Sequence, residues 1–94
     1  MDRLILDHRE QILRAASAHG ARRVRVFGSH ATGHATAASD IDLLVDMAPD
    51  RSLLDRIALI DELESLLGRS VDVVNEHALH AAIRDRVLAS ALPL

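Results

Sequence analysis

Two aspartates separated by one residue are the part of this 94-residue sequence best suited to chemistry. Asp40 and Asp42 open an apolar run over residues 41–45. In an extended strand, residues two apart project from the same face with Cα atoms roughly 6.6 Å apart. Their charges repel by about 2.5 kcal/mol at an effective dielectric constant near 20, and a divalent cation bound to both carboxylates turns this repulsion into attraction. An Asp-x-Asp pair is expected by chance in a chain this rich in aspartate, so the pair alone is a weak signal of a metal site.

A third aspartate strengthens the metal-site interpretation. Asp72 interrupts the valines of residues 71–74, and burying an unpaired carboxylate in a sheet costs several kcal/mol. Asp72 therefore joins the first two acids, points to solvent at an uncovered face of the sheet, or pairs with an arginine such as Arg25 on a neighbouring strand. The sequence pattern leaves these three possibilities open.

A glycine–serine pair follows the first predicted strand. Gly28 and Ser29 would present backbone N–H groups and a hydroxyl group where a helix begins, which is an arrangement that binds phosphate. The alternative is an ordinary strand-to-helix turn in which Ser29 only caps the helix.

Four helices and three strands are predicted to position these residues. By apolar periodicity and by the glycine and proline positions, the helices are residues 2–19, part of 28–36, 50 or 52 to 68, and 79–92, and the strands are 22–27, 41–45 and 71–75. The order αβαβαβα predicts a small α/β domain in which helices cover a three-stranded sheet. The pattern does not decide whether the strands are all parallel or mixed.

The same periodicity predicts which side chains face the core. Val24 and Val26 are expected on one face of the first strand, with the arginines on the other. The apolar positions assigned to the two longer C-terminal helices are Leu53, Leu54, Ile57, Ile60, Leu63, Leu66 and Leu67 in one, and Ile83, Val87 and Leu88 in the other.

Composition excludes several classes of function. The chain has no Cys and no Lys, and all 11 of its basic residues are Arg, so thiol nucleophiles, disulfides, Schiff bases and a Walker A lysine are excluded. Phe27 is the only aromatic residue and the net charge is −3, so we expect no direct nucleic-acid binding. With no secretory signal and no apolar run near ~18 residues, we expect one cytoplasmic domain spanning residues 1–94 and no membrane contact.

Taken together, the motifs resemble a known superfamily. A Gly-Ser pair, ten intervening residues, an Asp-x-Asp pair that leads into an apolar strand, and a lone Asp on the next strand are similar to the nucleotidyltransferases related to DNA polymerase β. The short chain and the ending VDVVNEHALHAAIRDRVL more narrowly resemble the minimal nucleotidyltransferases, the MntA-like antitoxins paired with HEPN-domain ribonuclease toxins. The resemblance covers about residues 5–92. It implies a small polymerase β-like fold, with helices covering a mixed three-stranded sheet.

The resemblance also implies a role for each candidate residue. Gly28 and Ser29 would hold a nucleoside triphosphate, and Asp40 and Asp42 would bind Mg²⁺ in a two-metal site. Asp72 would bind the second metal ion or take the proton of the acceptor hydroxyl. In the antitoxin branch, AMP passes from ATP to a tyrosine of the HEPN toxin and silences it. This chain has no Tyr and so cannot be its own acceptor.

One position departs from the family pattern. Family members often carry the pattern GSxARG, and Thr32 stands at the position of its arginine. A neutral hydroxyl group therefore replaces a guanidinium group with several hydrogen-bond donors. We expect weaker contact with phosphate or partner unless Arg23, Arg25 or His30 substitutes. Two alternatives therefore stay open: a catalytically impaired antitoxin that acts by binding alone, and the catalytic subunit of a two-chain nucleotidyltransferase that acts on a small molecule or RNA.

The six histidines are expected to be surface polar residues. His30 with His34, and His77 with His80, have helical spacing, but neither pair belongs to an HExxH motif. Zinc binding is therefore not predicted.

Overall fold

The computed structural model describes residues 1–36 and 38–94. Within these residues the α-helices are α1 (Arg3–Asp7), α2 (Arg9–Ala18), α3 (Ser29–Thr32), α4 (Leu53–Leu67) and α5 (Ala81–Ser90). The strands are β1 (Ala21–Phe27), β2 (Ile41–Met47), β3 (Val71–Asn75) and β4 (Leu92–Pro93), and a 3₁₀ turn over Glu76–Ala78 precedes α5. Among the described helices, none is both long and apolar enough to cross a lipid bilayer.

The four strands form one mixed sheet in the order β3-β2-β1-β4. Strands β2 and β3 are parallel, whereas β1 runs antiparallel to both β2 and β4. The α/β class and the mixed sheet are confirmed, with one strand more than predicted. The extra strand, β4, has only two residues, the second of which is Pro93. A strand of two residues is too short to show alternation, and its first residue, Leu92, fell within the predicted helix over residues 79–92.

Helices α2 and α4 cover one face of the sheet. The core joins side chains of both helices to alternate residues of the strands: Ile12, Ala15 and Ala16 from α2, Leu59, Leu63 and Leu67 from α4, and Ile41, Leu43, Val45, Val71 and Val73 from β2 and β3. Val24 and Val26 of β1 are buried as predicted. Leu44 points to the opposite face of the sheet and is also buried. Strands β3 and β4 lie at opposite edges of the sheet, and α5 is part of the segment that connects them.

The first predicted helix is two helices. α1 and α2 meet at His8, whose ring Nδ1 lies 2.8 Å from the carbonyl oxygen of Leu4. Asp2 caps α1, because its side chain accepts a hydrogen bond from the backbone N–H of Leu4 at 2.8 Å. Gly20 follows α2 with a φ of 79°, as its predicted role at the helix end requires.

The apolar face of α4 was predicted with residues that are exposed and without Leu59, which is fully buried. Leu53, Leu54 and Ile57 are exposed, because the sheet contacts only the narrow stripe of residues four apart that includes Leu59 and Leu63. Ser52 caps this helix, and the side chain of Asp55 completes a capping box with the Ser52 backbone.

The predicted inward face of the last helix is also only partly correct. Ile83 is 45% exposed, while Val87 and Leu88 are half-buried. None of the residues of α5 is fully buried.

Candidate active site

The sheet register places two of the predicted acids side by side. Asp42 of β2 pairs with Asp72 of β3 in the parallel ladder, and paired residues of neighbouring strands project from the same face of a sheet. Asp40 lies two residues before Asp42, directly outside β2. The structure therefore brings all three acids to the beginning of the parallel strand pair.

The Gly28 turn lies directly against Asp42. Phe27, the last residue of β1, pairs with Asp42 across the antiparallel ladder, and Gly28 follows with φ 71° and ψ −151°, a backbone region that only glycine readily adopts. A Cβ atom at Gly28 would lie 2.6 Å from Oδ2 of Asp42. The turn thus approaches the acids as closely as it does only because residue 28 has no side chain.

The three acids repel one another. Burial raises the pKa of the Asp42 carboxyl above its ordinary value, the negative charges of Asp72 and Asp40 raise it further, and the charge of His30 opposes them. In the part of the chain that the structure describes, none of the three carboxylates forms a salt bridge. The acids are grouped without a neutralising side chain.

The three possibilities for Asp72 can now be separated. The predicted pairing with Arg25 is wrong, because Arg25 Nη2 donates instead to Oε1 of Glu76 at 2.8 Å. Asp72 is exposed and pairs in register with Asp42, so it faces solvent and also lies beside the first two acids.

These residues fit a magnesium ion by their chemistry. Carboxylate oxygens are the ligands that Mg²⁺ prefers in proteins. Burial and the charges of Asp72 and Asp40 raise the pKa of Asp42, and a bound cation relieves the repulsion among these charges. Two surface cavities, of about 450 Å³ between α2 and α4 and about 480 Å³ beside Arg22 and Pro49, lie away from the acids.

A second charged cluster lies at the opposite end of the same strands. Asp46, Glu76 and His77 place one potential metal-binding atom each within 4.8 Å of one another, and they are the one such group found among the described residues. Asp40, Asp42 and Asp72 do not form such a group, so their carboxylate oxygens are more widely spaced. His77 Nε2 lies 2.7 Å from Asp46 Oδ1, and Arg22 lies 3.4 Å from Asp46 Oδ2.

This second cluster is internally neutralised. The hydrogen bond from His77 and the positive charge of Arg22 lower the pKa of Asp46 below its ordinary value, against the opposing effect of burial. Glu76 is held by Arg25. Sequence reasoning did not find the cluster, because its members come from two separate segments that only the fold brings together.

The expectation that His30 lies at the surface is wrong. Its side chain is fully buried, with Nδ1 2.8 Å from Oδ2 of Asp2 and Nε2 3.4 Å from the carbonyl oxygen of Ser39. Nothing local in the sequence signals this contact, since Asp2 and His30 lie 28 residues apart.

The turn after β1 also settles two predictions about polar residues. Ser29 is the first residue of α3, whose N-cap is Gly28 and has no side-chain cap, so the alternative in which Ser29 only caps the helix is wrong. Thr32 donates its hydroxyl to the carbonyl oxygen of Gly28 at 3.3 Å. Neither Arg25 nor His30 is free to replace the missing arginine, because each has an acidic partner elsewhere.

Comparison with known proteins identifies the family. A model of the nucleotidyltransferase domain matches residues 9–93. This chain belongs to the nucleotidyltransferase domain family. The protein adenylyltransferase MntA of Thermococcus cleftensis is 41% identical over 93 residues, which is 94% of each chain. A solved structure described as a minimal nucleotidyltransferase superposes with a TM-score of 0.89 and 48% identity, covering 100% of this chain and 97% of that one.

More distant structures share the fold. One solved structure is described as a tri-AMPylated HEPN toxin of Shewanella oneidensis in complex with an MNT antitoxin. A chain of this structure matches with a TM-score of 0.72 and 20% identity, over 94% of this chain and 69% of that chain. A toxin–antitoxin complex with AMP-PNP matches with a TM-score of 0.78 and 23% identity, over 89% and 69%. The prediction of a minimal, MntA-like nucleotidyltransferase, and of an adenylyltransferase enzyme, is confirmed by the family match and the relatives at higher identity.

Proposed function

We propose that this enzyme is an antitoxin that transfers AMP from ATP, in the presence of Mg²⁺, to a tyrosine hydroxyl of a HEPN-domain ribonuclease toxin and so neutralises it. The observation that carries the proposal is the register of Asp42 beside Asp72, with the Gly28 turn against Asp42. The names of the related MntA protein and of the toxin–antitoxin structures support the choice of partner.

Each residue has a distinct part in the proposed reaction. The backbone of Gly28 and the hydroxyl of Ser29 bind the triphosphate at the end of β1, and Asp40 and Asp42 hold Mg²⁺. The metal ions would supply orientation of the nucleotide and charge stabilisation at its phosphates. Asp72, exposed on the next strand, binds a second Mg²⁺ or accepts the proton of the acceptor.

The proposed reaction is a displacement at the α-phosphorus of ATP. The acceptor oxygen forms a bond to the α-phosphorus of ATP, the bond from that phosphorus to the bridging oxygen breaks, and pyrophosphate leaves. The acceptor proton passes to Asp72 or to water.

The surroundings of the acids suit a macromolecular acceptor. Asp40 and Asp72 are both exposed, so an acceptor side chain carried on another protein can reach them. The chain itself supplies no tyrosine. A single domain over residues 1–94 and a cytoplasmic location are part of the same proposal.

Intact-mass spectrometry of the partner tests the proposal. Purified protein, a HEPN-domain toxin from the same genome, ATP and Mg²⁺ are incubated together, and we expect one or more AMP units on a toxin tyrosine. The Asp42→Asn variant should give no adduct, while Asp46→Asn, a matched change at the other end of β2, should give the adduct of the unaltered protein.

Two other outcomes would replace the proposal. Neutralisation of the toxin without any adduct would show an antitoxin that acts by binding alone, which the neutral Thr32 favours. Transfer of labelled AMP to RNA or to a small molecule, with none on the toxin, would show a two-chain enzyme with a different acceptor.

A further inference from the structure

His30 is the one buried polar or charged residue in the described part of the chain. It follows Ser29 in the turn that ends β1, and its side chain has no exposed surface. Burying a polar ring costs free energy unless its nitrogen atoms find hydrogen-bond partners. Its partners therefore explain why a polar residue occupies this place.

The first partner is Asp2 at the beginning of the first helix. Asp2 accepts from the backbone N–H of Leu4 through Oδ1 and lies 2.8 Å from His30 Nδ1 through Oδ2. The hydrogen bond from Leu4 is the largest cause that lowers the pKa of Asp2, and the bond from His30 adds to it. An ionised carboxylate only accepts hydrogen bonds, so Nδ1 of His30 is the donor in this pair.

The second partner of His30 is the segment that directly precedes Asp40. His30 Nε2 lies 3.4 Å from the carbonyl oxygen of Ser39, the residue directly before Asp40, and it donates to that oxygen when both ring nitrogens carry a proton. The same oxygen accepts a hydrogen bond of 2.8 Å from Nη2 of Arg69, which also donates to the carbonyl oxygen of Thr36 at 2.9 Å. Arg69 lies three residues before Asp72.

The Ser39 carbonyl is thus a meeting point of three segments. One segment carries Gly28 and Ser29, one carries Asp40 and Asp42, and one carries Asp72. The contacts are made to the backbone and not to the three carboxylates, so they fix where the acids lie without taking part in the chemistry.

We propose that Asp2, His30 and Arg69 form a positioning clamp that fixes the glycine–serine turn and the three acids relative to one another. This inference rests on the proposed function for its effect on catalysis. The three clamp residues are positioning residues, because none of them touches the nucleotide or the acceptor in the proposed reaction. Outer residues that orient metal-binding groups typically change metal affinity or activity by about 10- to 100-fold when they are removed.

Hydrogen exchange in the nucleotide-free protein tests the clamp without any assay of transfer. The amides of Ser39 and Ile41 donate to the carbonyl oxygens of Thr36 and Ser70 and therefore report opening of the segment around Asp40. In Asp2→Ala and His30→Asn we expect these amides to exchange about tenfold faster, with amides inside α4 unchanged. Asp7→Ala and His34→Asn are matched controls, because Asp7 and His34 are exposed neighbours of the same residue types.

Metal dependence provides the second measurement. The Mg²⁺ concentration that gives half-maximal AMP transfer should rise about tenfold in Asp2→Ala and in Arg69→Met, measured well below the melting temperature of each variant. A purely structural role would lower the melting temperature and leave this concentration unchanged. The double variant Asp2→Ala/His30→Asn should resemble the single variants, because both changes break the same connection.

The outcomes separate the clamp from the proposed function. Unchanged exchange at Ser39 and Ile41 in Asp2→Ala would overturn the clamp, whether or not transfer falls; this variant changes a residue that is only partly buried, which guards against loss of the fold. Effects of the two single changes that multiply in the double variant would also overturn it. Faster exchange in the variants, together with no AMP transfer by the unaltered protein, would instead overturn the proposed function and leave the clamp standing.

Discussion

The two ends of the parallel strands β2 and β3 carry acids in opposite electrostatic settings. At the beginning of the strands, Asp42 lies beside Asp72, and the pKa of Asp42 is raised by burial and by its acidic neighbours. Toward the other end, Asp46 is bound by His77 and Arg22, and its pKa is lowered. The strands and the residue type are the same, so the difference comes from the burial of Asp42 and from the partners that the fold supplies at each end.

This contrast indicates where the molecule gives up stability for function. Paired acids stabilise a fold or are neutral to it, whereas like charges brought together without a partner oppose folding and are typical of sites that bind a cation. The chain has arginines near both strands, and it directs them to Asp46 and Glu76. The acids at the beginning of the strands remain available for a metal ion.

The largest expected effect follows from neutralising one acid at each end. Asp42→Asn should lower AMP transfer by at least about 10³-fold, because a metal-binding oxygen is worth several kcal/mol of charge stabilisation in the reaction. Asp46→Asn, the matched change, should leave transfer within about threefold. The measurement is the initial rate of adduct formation, and equal losses in both variants would contradict the assignment of the active site to the first end.

The next largest effect is expected from a single added methyl group. In Gly28→Ala the new Cβ would lie 2.6 Å from Asp42 Oδ2, so that carboxylate must move, and a displacement near 1 Å costs about 10²-fold in rate. Gly68→Ala is the control, since Gly68 also has a positive φ, 66°, but nothing lies within 4 Å of its added Cβ.

Both glycine variants should lose stability, because each places a side chain at positive φ. Only Gly28→Ala should lose activity out of proportion to its change in melting temperature. Similar activity in the two variants would show that the approach of the turn to Asp42 is not needed.

A third pair of measurements compares stability, and here the two ends should differ in sign. The folded-state pKa of Asp42 is raised, so its ionised form opposes folding at neutral pH, and Asp42→Asn should raise the melting temperature. Asp42 is partly exposed, which limits the gain to less than about 1 kcal/mol, or a rise of about 2–5 °C. The folded-state pKa of Asp46 is lowered, so Asp46→Asn should melt at a lower temperature.

Thermal unfolding at pH 7 in a chelator-treated buffer measures both variants. Addition of Mg²⁺ should raise the melting temperature of the unaltered protein and reduce the advantage of Asp42→Asn. A decrease in melting temperature for Asp42→Asn without Mg²⁺ would contradict the repulsion on which the comparison depends.

The sequence predicted the candidate acids and their local setting better than their mutual arrangement. The spacing of Asp40 and Asp42 is a consequence of strand geometry, and the apolar residues around Asp72 mark its strand, so all three could be found by pattern. The register that pairs Asp42 with Asp72 depends on parallel pairing of β2 with β3. No local signal specifies that pairing.

The errors share a physical cause, which is contact between distant segments. The buried pair of Asp2 and His30 joins residues 28 apart, and Arg69 reaches Ser39 across 30 residues. Periodicity marks every apolar position of a helix, but only tertiary packing decides which of them, such as Leu54 or Leu63, meets the sheet. The contacts of Asp2, His30 and Arg69 were therefore missed, although the three candidate acids were identified.

The smallest expected effect concerns the pH dependence of Mg²⁺ binding. A protonated carboxyl does not bind Mg²⁺, and the pKa of Asp42 lies above its ordinary value of 3.8. As the pH falls through this raised pKa, the stabilisation by Mg²⁺ should disappear while most other carboxylates are still ionised. With the Mg²⁺ concentration near its dissociation constant, Mg²⁺ should raise the melting temperature by about 2 °C, and this rise is what should disappear at low pH.

Two variants serve as controls. Asp46→Asn should show the same pH dependence as the unaltered protein, because the lowered pKa of Asp46 keeps that group ionised throughout the range. Asp42→Asn should show only a small shift at any pH. A Mg²⁺ shift that persists unchanged down to the ordinary aspartate pKa would place the ion elsewhere, and the second cluster at Asp46, Glu76 and His77 would then be the site to test.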